Sequence, residues 1–221
     1  MPDEAVGHVE LRPLDLVGDT GNVAGAVSHQ VAGLSAGAGP KAARIQVFGS
    51  SLIPGLLQTE DYAHALSRES LPGESEERIN ERVATRMRRK RVFEKEQVPY
   101  YWAIMDEAVL RRPIGSIAIM RAQLRYVLQA IESPRISVQV LPFAQGAHPM
   151  LGGSLSLHTL RNGATLAYVE SFASGEPVDS PERILELTQR FDVARSKSLP
   201  KQESLDLIGS YLREYENDDD S

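Results

Sequence analysis

The chain has 221 residues, 42% of them hydrophobic, and a formal charge of −6 at pH 7. This length allows one substantial core with a small appendage, because domains most often have ~100–150 residues. The negative charge disfavours a general role in coating nucleic acid. The sequence contains no cysteine, which excludes a disulfide framework, a thiolate zinc site and a cysteine nucleophile. No apolar run approaches the ~20 residues that span a bilayer, so we expect a soluble, cytoplasmic protein.

Composition divides the chain into three parts. Residues 1–40 hold seven of its 17 glycines and are predicted to be a weakly structured lead-in. A weak helix is the alternative there, because three valines are spaced by four residues. We predict one globular domain over 41–216, followed by a disordered acidic tail at 217–221.

Three elements are predicted to open the globular region. Residues 43–57 favour a strand that leads into a Pro-Gly turn. A helix follows from Thr59 to about Arg68, because Thr59 can cap it and acidic residues occupy its positive end. A longer helix is expected over 74–97, with apolar residues at every fourth position on one side.

The middle of the chain alternates strand and helix. Residues 98–105 are rich in aromatic and branched side chains, which favour a strand. Residues 116–133 carry apolar residues at spacings of three and four, which predicts an amphipathic helix. Residues 135–143 are again strand-like. Strand, helix and strand at this spacing predict a parallel βαβ crossover.

The last third is predicted to hold a hairpin and two helices. Asn162 and Gly163 lie between two alternating runs, which is the strongest short signal for a β-hairpin. The first closing helix is expected to begin at Pro181, after a cap by Asp179 or Ser180. The fold class is therefore mixed α/β, with about four strands in the sheet and helices flanking it.

The most prominent charge feature is the basic run RMRRKR at 86–91. Residues 82–95 hold seven Lys or Arg residues against Glu94 alone. On a helix these side chains point in several directions and can pair with nearby glutamates. We favour a solvated face or one that binds an acidic partner, and contact with nucleic-acid phosphates is the alternative.

Common catalytic and metal-binding motifs do not occur in the sequence. The histidines form no HExxH or HxH pattern, so we predict no metal site and no cofactor. The serines lack a GxSxG elbow, and no phosphate-binding glycine loop is present. Common hydrolases, kinases and dinucleotide enzymes are therefore disfavoured.

Polar residues follow several of the predicted strands. In an open α/β sheet such strand ends border the usual ligand crevice, so one interpretation is a shared polar pocket. The other is local structure, in which two acids cap a helical turn, an arginine pairs with one of them and the histidine is a loop residue. The residues are Asp106, Glu107, Arg111, His148 and Glu170.

A catalytic role for the shared pocket would need an acid and a base. Glu107 or Glu170 is then the candidate general base, and His148 is the candidate acid. Arg111 would clamp an anion. The aromatic run before these residues, Tyr100 to Trp102, could supply a wall of the pocket.

Four ordered motifs carry a family resemblance: PGLLQTEDYAHAL, DEAVLRRPIGS with MRAQLRYVL, ISVQVLPFAQGAHPMLGG, and LAYVE. Over about residues 43–213 the chain resembles the DUF5753 family, the C-terminal effector domain of antitoxin-like actinobacterial regulators. In those regulators a helix-turn-helix domain precedes this domain, and a small DUF397 protein is often the partner. By position, the resemblance implies these ligand-binding candidates: Gln58, Tyr62, Asp106, Glu107, Arg111, His148 and Glu170.

The resemblance implies a regulatory domain that senses a ligand or binds a protein. About 40 glycine-rich residues precede the match, whereas a helix-turn-helix domain needs ~60, so we expect no direct sequence-specific DNA binding. The expected partners are a DUF397-like small protein or a separate DNA-binding protein, with a small metabolite or a second copy also possible. The alternative function is a stand-alone small biosynthetic enzyme that uses the same pocket on a small metabolite, because a fold does not fix a function.

Overall fold

The computed structural model describes residues 42–171 and 175–217. The predicted lead-in and all but the first residue of the predicted tail lie outside these ranges. The described residues form one mixed sheet flanked by helices, which confirms the predicted α/β class. The strands are β1 (Ala42–Gly49), β2 (Tyr100–Asp106), β3 (Ile136–Leu141), β4 (Ser154–Leu160), β5 (Thr165–Glu170) and β6 (Gly175–Val178).

The strands lie in the order β3-β2-β1-β4-β5-β6. β1, β2 and β3 are parallel, and β4 joins β1 in the antiparallel sense. The helix that connects β2 to β3 confirms the βαβ crossover. Gly163 has a φ of 87° and turns β4 into the antiparallel β5, which confirms the hairpin.

The sheet has six strands where about four were predicted. β6 is the strand that the sequence did not reveal, and it has the four residues GEPV. So short a segment shows no readable alternation, and its proline is tolerated because β6 lies at the edge of the sheet.

The five predicted helices are present with one boundary changed, and a sixth, the one-turn helix Ala108–Arg111, follows β2. The second helix ends at Arg89 and continues as a 3-10 helix at Lys90–Glu94 instead of reaching residue 97. No helix of the described ranges is long and apolar enough to cross a membrane. The α-helices are α1 (Glu60–Ser70), α2 (Glu76–Arg89), α3 (Ala108–Arg111), α4 (Ile117–Ala130), α5 (Pro181–Lys197) and α6 (Lys201–Asn217).

Local signals set the helix starts. The Thr59 side chain accepts a hydrogen bond from the Tyr62 backbone N–H, as predicted for the cap of α1. Ser180 is the cap position of α5, and Pro181 is its first residue.

The two faces of the sheet carry separate apolar cores. On the face that we call the first face, α4 and α6 pack with Leu124 and Ile208 on alternate residues of β1, β2 and β3. On the opposite, second face, α5 packs Leu187 and Phe191 against residues that include Phe48 of β1. Alternation along each strand therefore decides which layer a side chain enters.

Candidate functional site

The first face of the sheet changes character between its two halves. Over β1, β2 and β3 it is apolar, but β4 and β5 contribute no residue to that buried core. Two leucines of β4 pack on the second face, so Ser156 and His158 point to the first face. By the same alternation, Tyr168 and Glu170 of β5 point there. We call these four residues the polar face.

Two side chains of the polar face are buried and each has an unpaired polar atom. His158 is 6% exposed and Tyr168 is 1% exposed. Among the described residues, His158 Nδ1 and the Tyr168 hydroxyl have no hydrogen-bond partner. Tyr168 pairs with Ser156 across the strands, which makes it a diagonal neighbour of His158. A buried polar atom without a partner costs about 1–3 kcal/mol, so each of these two atoms favours a hydrogen-bonding partner.

The protonation states of these two side chains follow from their burial. Burial lowers the pKa of His158 to about 4, so the ring is neutral at pH 7. Burial, assisted by the charge of Glu170, raises the pKa of Tyr168 to about 12, so the hydroxyl keeps its proton. A neutral imidazole and a phenol each offer a hydrogen-bonding atom to neutral polar groups.

Helix α2 brings positive charge to the Glu170 end of the polar face. Glu170 interacts electrostatically with Arg86 and Arg89. Burial raises the pKa of Glu170, and the two guanidinium groups oppose that increase. Burial likewise lowers the pKa of Arg86, and it lowers the pKa of Arg89 to about 10 with help from the charge of Arg86. The ionised states of these groups therefore depend on one another.

A glycine allows β4 to start directly against Glu170. A Cβ atom added at Gly153 would lie 2.1 Å from the backbone carbonyl oxygen of Glu170. The neighbouring Gly152 has open space around it. A side chain at Gly153 would therefore displace the end of β5, which carries the carboxylate.

Gln58 of the first motif joins α2 to the turn before α1. Its side chain is buried, with Nε2 donating to the Ile53 carbonyl at 2.6 Å and Oε1 accepting from Arg86 Nη1 at 2.5 Å. Lys90 Nζ donates to the Gln58 carbonyl oxygen at 2.8 Å and lies 3.9 Å from the centre of the Tyr126 ring. Two cations of the basic run thus point into the domain and not into solvent.

Two further buried side chains hold the same turn. Gln123 of α4 is fully buried, and its Oε1 accepts from the Thr59 N–H at 2.7 Å while its Nε2 donates to the Leu57 carbonyl at 2.7 Å. Tyr62 accepts from the Ile53 N–H at 3.4 Å, and burial raises its pKa to about 12. Gln123 was not among the predicted site residues, although a polar residue within the apolar stripe of α4 is the signal that marks it.

Asp106 and His148 form a separate pair at the end of β2. His148 Nδ1 accepts from the Met150 N–H at 3.2 Å, so we assign the ring proton to Nε2, which donates to Asp106 Oδ2 at 3.2 Å. The other carboxylate oxygen accepts from the Ala108 N–H at 2.9 Å. Both ring nitrogens are engaged, and the pair fastens the loop before β4 to β2.

Glu107 and Arg111 lie farther out, near α6. Glu107 accepts from the Tyr211 hydroxyl at 2.7 Å and from the Phe143 N–H at 2.7 Å. Arg111 is exposed, and its hydrogen bond with Tyr211 raises its pKa. An open cleft of about 260 Å³ is lined by Arg111, Pro113, Tyr211, Glu214 and Tyr215.

The protein-family model described as a domain of unknown function, DUF5753, matches residues 36–210. The chain belongs to the DUF5753 family. This confirms the resemblance carried by the four motifs. No curated protein and no solved structure matches the chain.

In this DUF5753 domain the predicted site residues fall into three groups. Asp106 and Glu170 lie at the same end of the sheet, but β1 and β4 lie between their strands. Three steps of ~4.8 Å from strand to strand place the two strands about 14 Å apart. Within the described ranges, no cluster of three His, Asp or Glu side chains could hold a metal ion. The groups are Gln58 and Tyr62 with Arg86 and Glu170, Asp106 with His148, and Glu107 with Arg111.

Proposed function

We propose that this DUF5753 domain is a ligand-sensing regulatory domain that binds a small molecule on its polar face and acts through a protein partner. The observation that carries the proposal is the pair of buried, unpaired polar atoms on His158 and Tyr168 beside Glu170. A ligand that hydrogen-bonds both atoms removes an unfavourable term of about 1–3 kcal/mol for each. The free protein is thereby prepared for a polar occupant.

A chain of contacts leads from the polar face to the surface. Glu170 interacts electrostatically with Arg86. Arg86 in turn donates a hydrogen bond to Gln58, which fixes the turn before α1. A ligand that changes the surroundings of Arg86 changes the interaction that positions α2. The same helix exposes Arg88, and Arg91 follows it. Ligand binding can thus alter a cationic surface that suits an acidic partner.

The inward orientation of two side chains in the basic run supports action through a protein and not through DNA. Arg86 and Lys90 bind Gln58 inside the domain, so they are not available to phosphates. The partner that the family resemblance implies is a DUF397-like small protein or a separate DNA-binding protein. We propose that this protein and its partner are both cytoplasmic.

The geometry favours binding over catalysis at the predicted acid and base. Both ring nitrogens of His148 and both carboxylate oxygens of Glu107 accept or donate hydrogen bonds within the protein. Glu170 lies three strands away from the Asp106 strand. A general acid and base must reach one reacting centre, and these groups point to different places.

Native mass spectrometry tests the ligand. The protein is incubated with the fraction below 1 kDa of an extract from its own host and then desalted. We expect an adduct on the wild-type protein that is lost from His158→Asn and Tyr168→Phe, while the exposed-tyrosine control Tyr100→Phe keeps it. An adduct that all variants retain, or no adduct on any of them, contradicts the proposal.

Co-purification from the same host tests the partner. Wild-type protein is expected to capture a DUF397-like or DNA-binding protein, and Arg88→Glu with Arg91→Glu should weaken capture because they reverse the exposed charge. The affinity should also fall as salt rises. Tight, sequence-specific binding of duplex DNA by the purified chain alone would overturn this part of the proposal.

A further inference from the structure

One end of the second face extends beyond α5. The helix reaches as far as Trp102 of β2, where the Arg195 guanidinium lies 5.1 Å from the centre of the indole ring. Towards the start of β2, the face ends in one row of side chains that are all exposed or half-buried. This row, which we call the open row, runs from β5 to the start of β3 and consists of Thr165, Thr159, Arg44, Tyr100 and Arg135.

The open row is cationic. The strand ends and the β4–β5 turn at this end of the sheet contain three arginines and no acidic residue, over residues 42–46, 98–102, 134–137 and 158–167. Among the described residues, Arg44 and Arg135 pair with no carboxylate, and the exposed Glu96 and Glu132 nearby in the sequence do not change this. The row therefore suits an anionic partner.

Two aromatic rings lie at the same end of the face. Tyr100 and Trp102 are alternate residues of β2, so they lie about 6.6 Å apart on one face. Tyr100 is 55% exposed even though the Arg135 guanidinium lies 4.3 Å from the centre of its ring. Trp102 Nε1 donates to Gln139 Oε1 at 3.0 Å, which fixes the indole ring. The rings and their arginines offer flat surfaces on which planar groups can stack.

Rings and arginines together favour a single-stranded nucleic acid as the occupant. Unpaired bases stack on aromatic rings and guanidinium planes, while the phosphates bind the cations beside them. An acidic peptide would pair with the arginines but would leave the exposed ring of Tyr100 without a partner. A second copy of the chain would place arginines against arginines, which is repulsive. In a duplex the bases stack on each other and are not available to the rings.

We propose that the open row binds a single strand of RNA or DNA, with bases stacked at Tyr100 and Trp102 and phosphates bound by Arg44 and Arg135. Four steps of ~4.8 Å from strand to strand give the row a length of about 19 Å, and a sheet face stacks about two or three bases. This inference goes beyond the proposed function, because the open row lies on the opposite face of the sheet from the polar face. The chain has a formal charge of −6, so binding depends on this row and not on a general attraction.

Tryptophan fluorescence tests the location, because Trp102 is the only tryptophan of the chain. Ten-nucleotide strands of uridine and of thymidine are titrated at pH 7 and low salt, and the anisotropy of end-labelled strands gives the affinity. We expect at least one of the two strands to bind and to quench Trp102, and the tighter of them identifies RNA or DNA. A strand of ten abasic nucleotides, which keeps the phosphates, should bind at least tenfold more weakly.

Ring variants test the stacking. Tyr100→Ala should weaken binding at least fivefold, and Tyr100→Phe, which restores the ring, should recover it. Phe143→Ala removes another exposed ring, outside the open row, and should bind as the wild type does. Both positions are exposed, so we expect folded variants, and circular dichroism checks this.

Charge variants test the phosphate contacts. Arg44→Gln combined with Arg135→Gln should make the slope of log K against log[salt] shallower by about 1.4, because two contacts to a single strand are lost. The matched control combines Arg112→Gln with Lys201→Gln, which removes the same charge from exposed positions outside the open row. We expect a much smaller change of slope in the control.

Each contrary result has a definite meaning. No binding of either strand, equal binding of the abasic strand, or equal effects of Tyr100→Ala and Phe143→Ala would overturn the stacking of bases on the open row. Tighter binding of a ten-residue glutamate peptide would assign the row to an acidic protein instead. The ligand of the polar face is tested separately by the host-extract adduct, so either proposal can fail without the other.

Discussion

Two buried amide side chains hold the turn that precedes α1. Gln58 and Gln123 together satisfy backbone groups of three residues there, and Arg86 completes the set by donating to Gln58. Their amides provide donors and acceptors at a site from which water is excluded. The motif around Gln58 is therefore a structural joint that α2 and α4 share.

Replacing Gln123 tests the role of this joint. Gln123→Leu keeps the volume similar but leaves the Thr59 N–H and the Leu57 carbonyl without partners, so it should lower the free energy of unfolding by about 2–4 kcal/mol. The matched control is Gln129→Leu, which changes an exposed glutamine of the same helix. Urea denaturation at pH 7 measures both. Equal, small effects would contradict the assigned bonds.

His158 gives the protein a stability that depends on pH. Its pKa is about 4 in the folded protein and about 6.5 in an unfolded chain, so between these values the unfolded chain binds a proton that the folded protein does not. This contribution to the free energy of unfolding therefore decreases as the pH falls, by about 3 kcal/mol from pH 7 to below pH 4. His158→Asn should reduce the difference in stability between pH 7 and pH 4 by that order. Urea denaturation of both proteins at several pH values measures this difference. The same pH dependence of the free energy of unfolding in the two proteins would contradict it.

Single residues were predictable where their partner is close in sequence. Thr59 caps α1 through a residue three positions away, and such local bonds follow from residue type. Gln123 bonds Thr59 across 64 positions, so its role depends on how α4 packs against the turn. The inward direction of Arg86 has the same origin, since its partner Gln58 is 28 positions away.

Helices and strands were likewise predictable where the residues that determine them are close in sequence. The βαβ unit and the hairpin were predicted correctly because alternation, helical spacing and an Asn-Gly turn are written in contiguous residues. The end of α2 was misplaced because the apolar and charged pattern continues through the 3-10 segment Lys90–Glu94. β6 is too short to show a pattern and forms by pairing with β5.

The junction of β4 and β5 can be tested with a pair of adjacent glycines. Gly153→Ala places a Cβ atom against the Glu170 carbonyl, so the end of β5 must shift, at a cost of about 1–3 kcal/mol. Gly152→Ala adds the same methyl group into open space and should change stability by less than about 0.5 kcal/mol. Urea denaturation compares the two. A Gly153→Ala protein as stable as Gly152→Ala would contradict the close packing.

At the scale of the whole molecule, the position of β4 determines which predicted residues can act together. A purely parallel sheet would bring the polar strand ends to one crevice. Here β4 enters antiparallel beside β1 and moves Glu170 away from Asp106, towards α2. The polar residues can be recognised in the sequence, but the strand order that places them depends on contacts between residues far apart in the chain. Of the four residues of the polar face, only Glu170 was predicted as a site residue from the sequence, because the grouping of the four depends on this strand order.

A crystal structure of the protein co-crystallised with the small-molecule fraction of its host would test the central claim most directly. We expect electron density for a ligand on the polar face, with polar groups within hydrogen-bonding distance of His158 and of Tyr168. The Tyr168→Phe protein, crystallised in the same way, should show that density weakened or lost. A ligand bound elsewhere on the domain while the polar face stays closed would contradict the account.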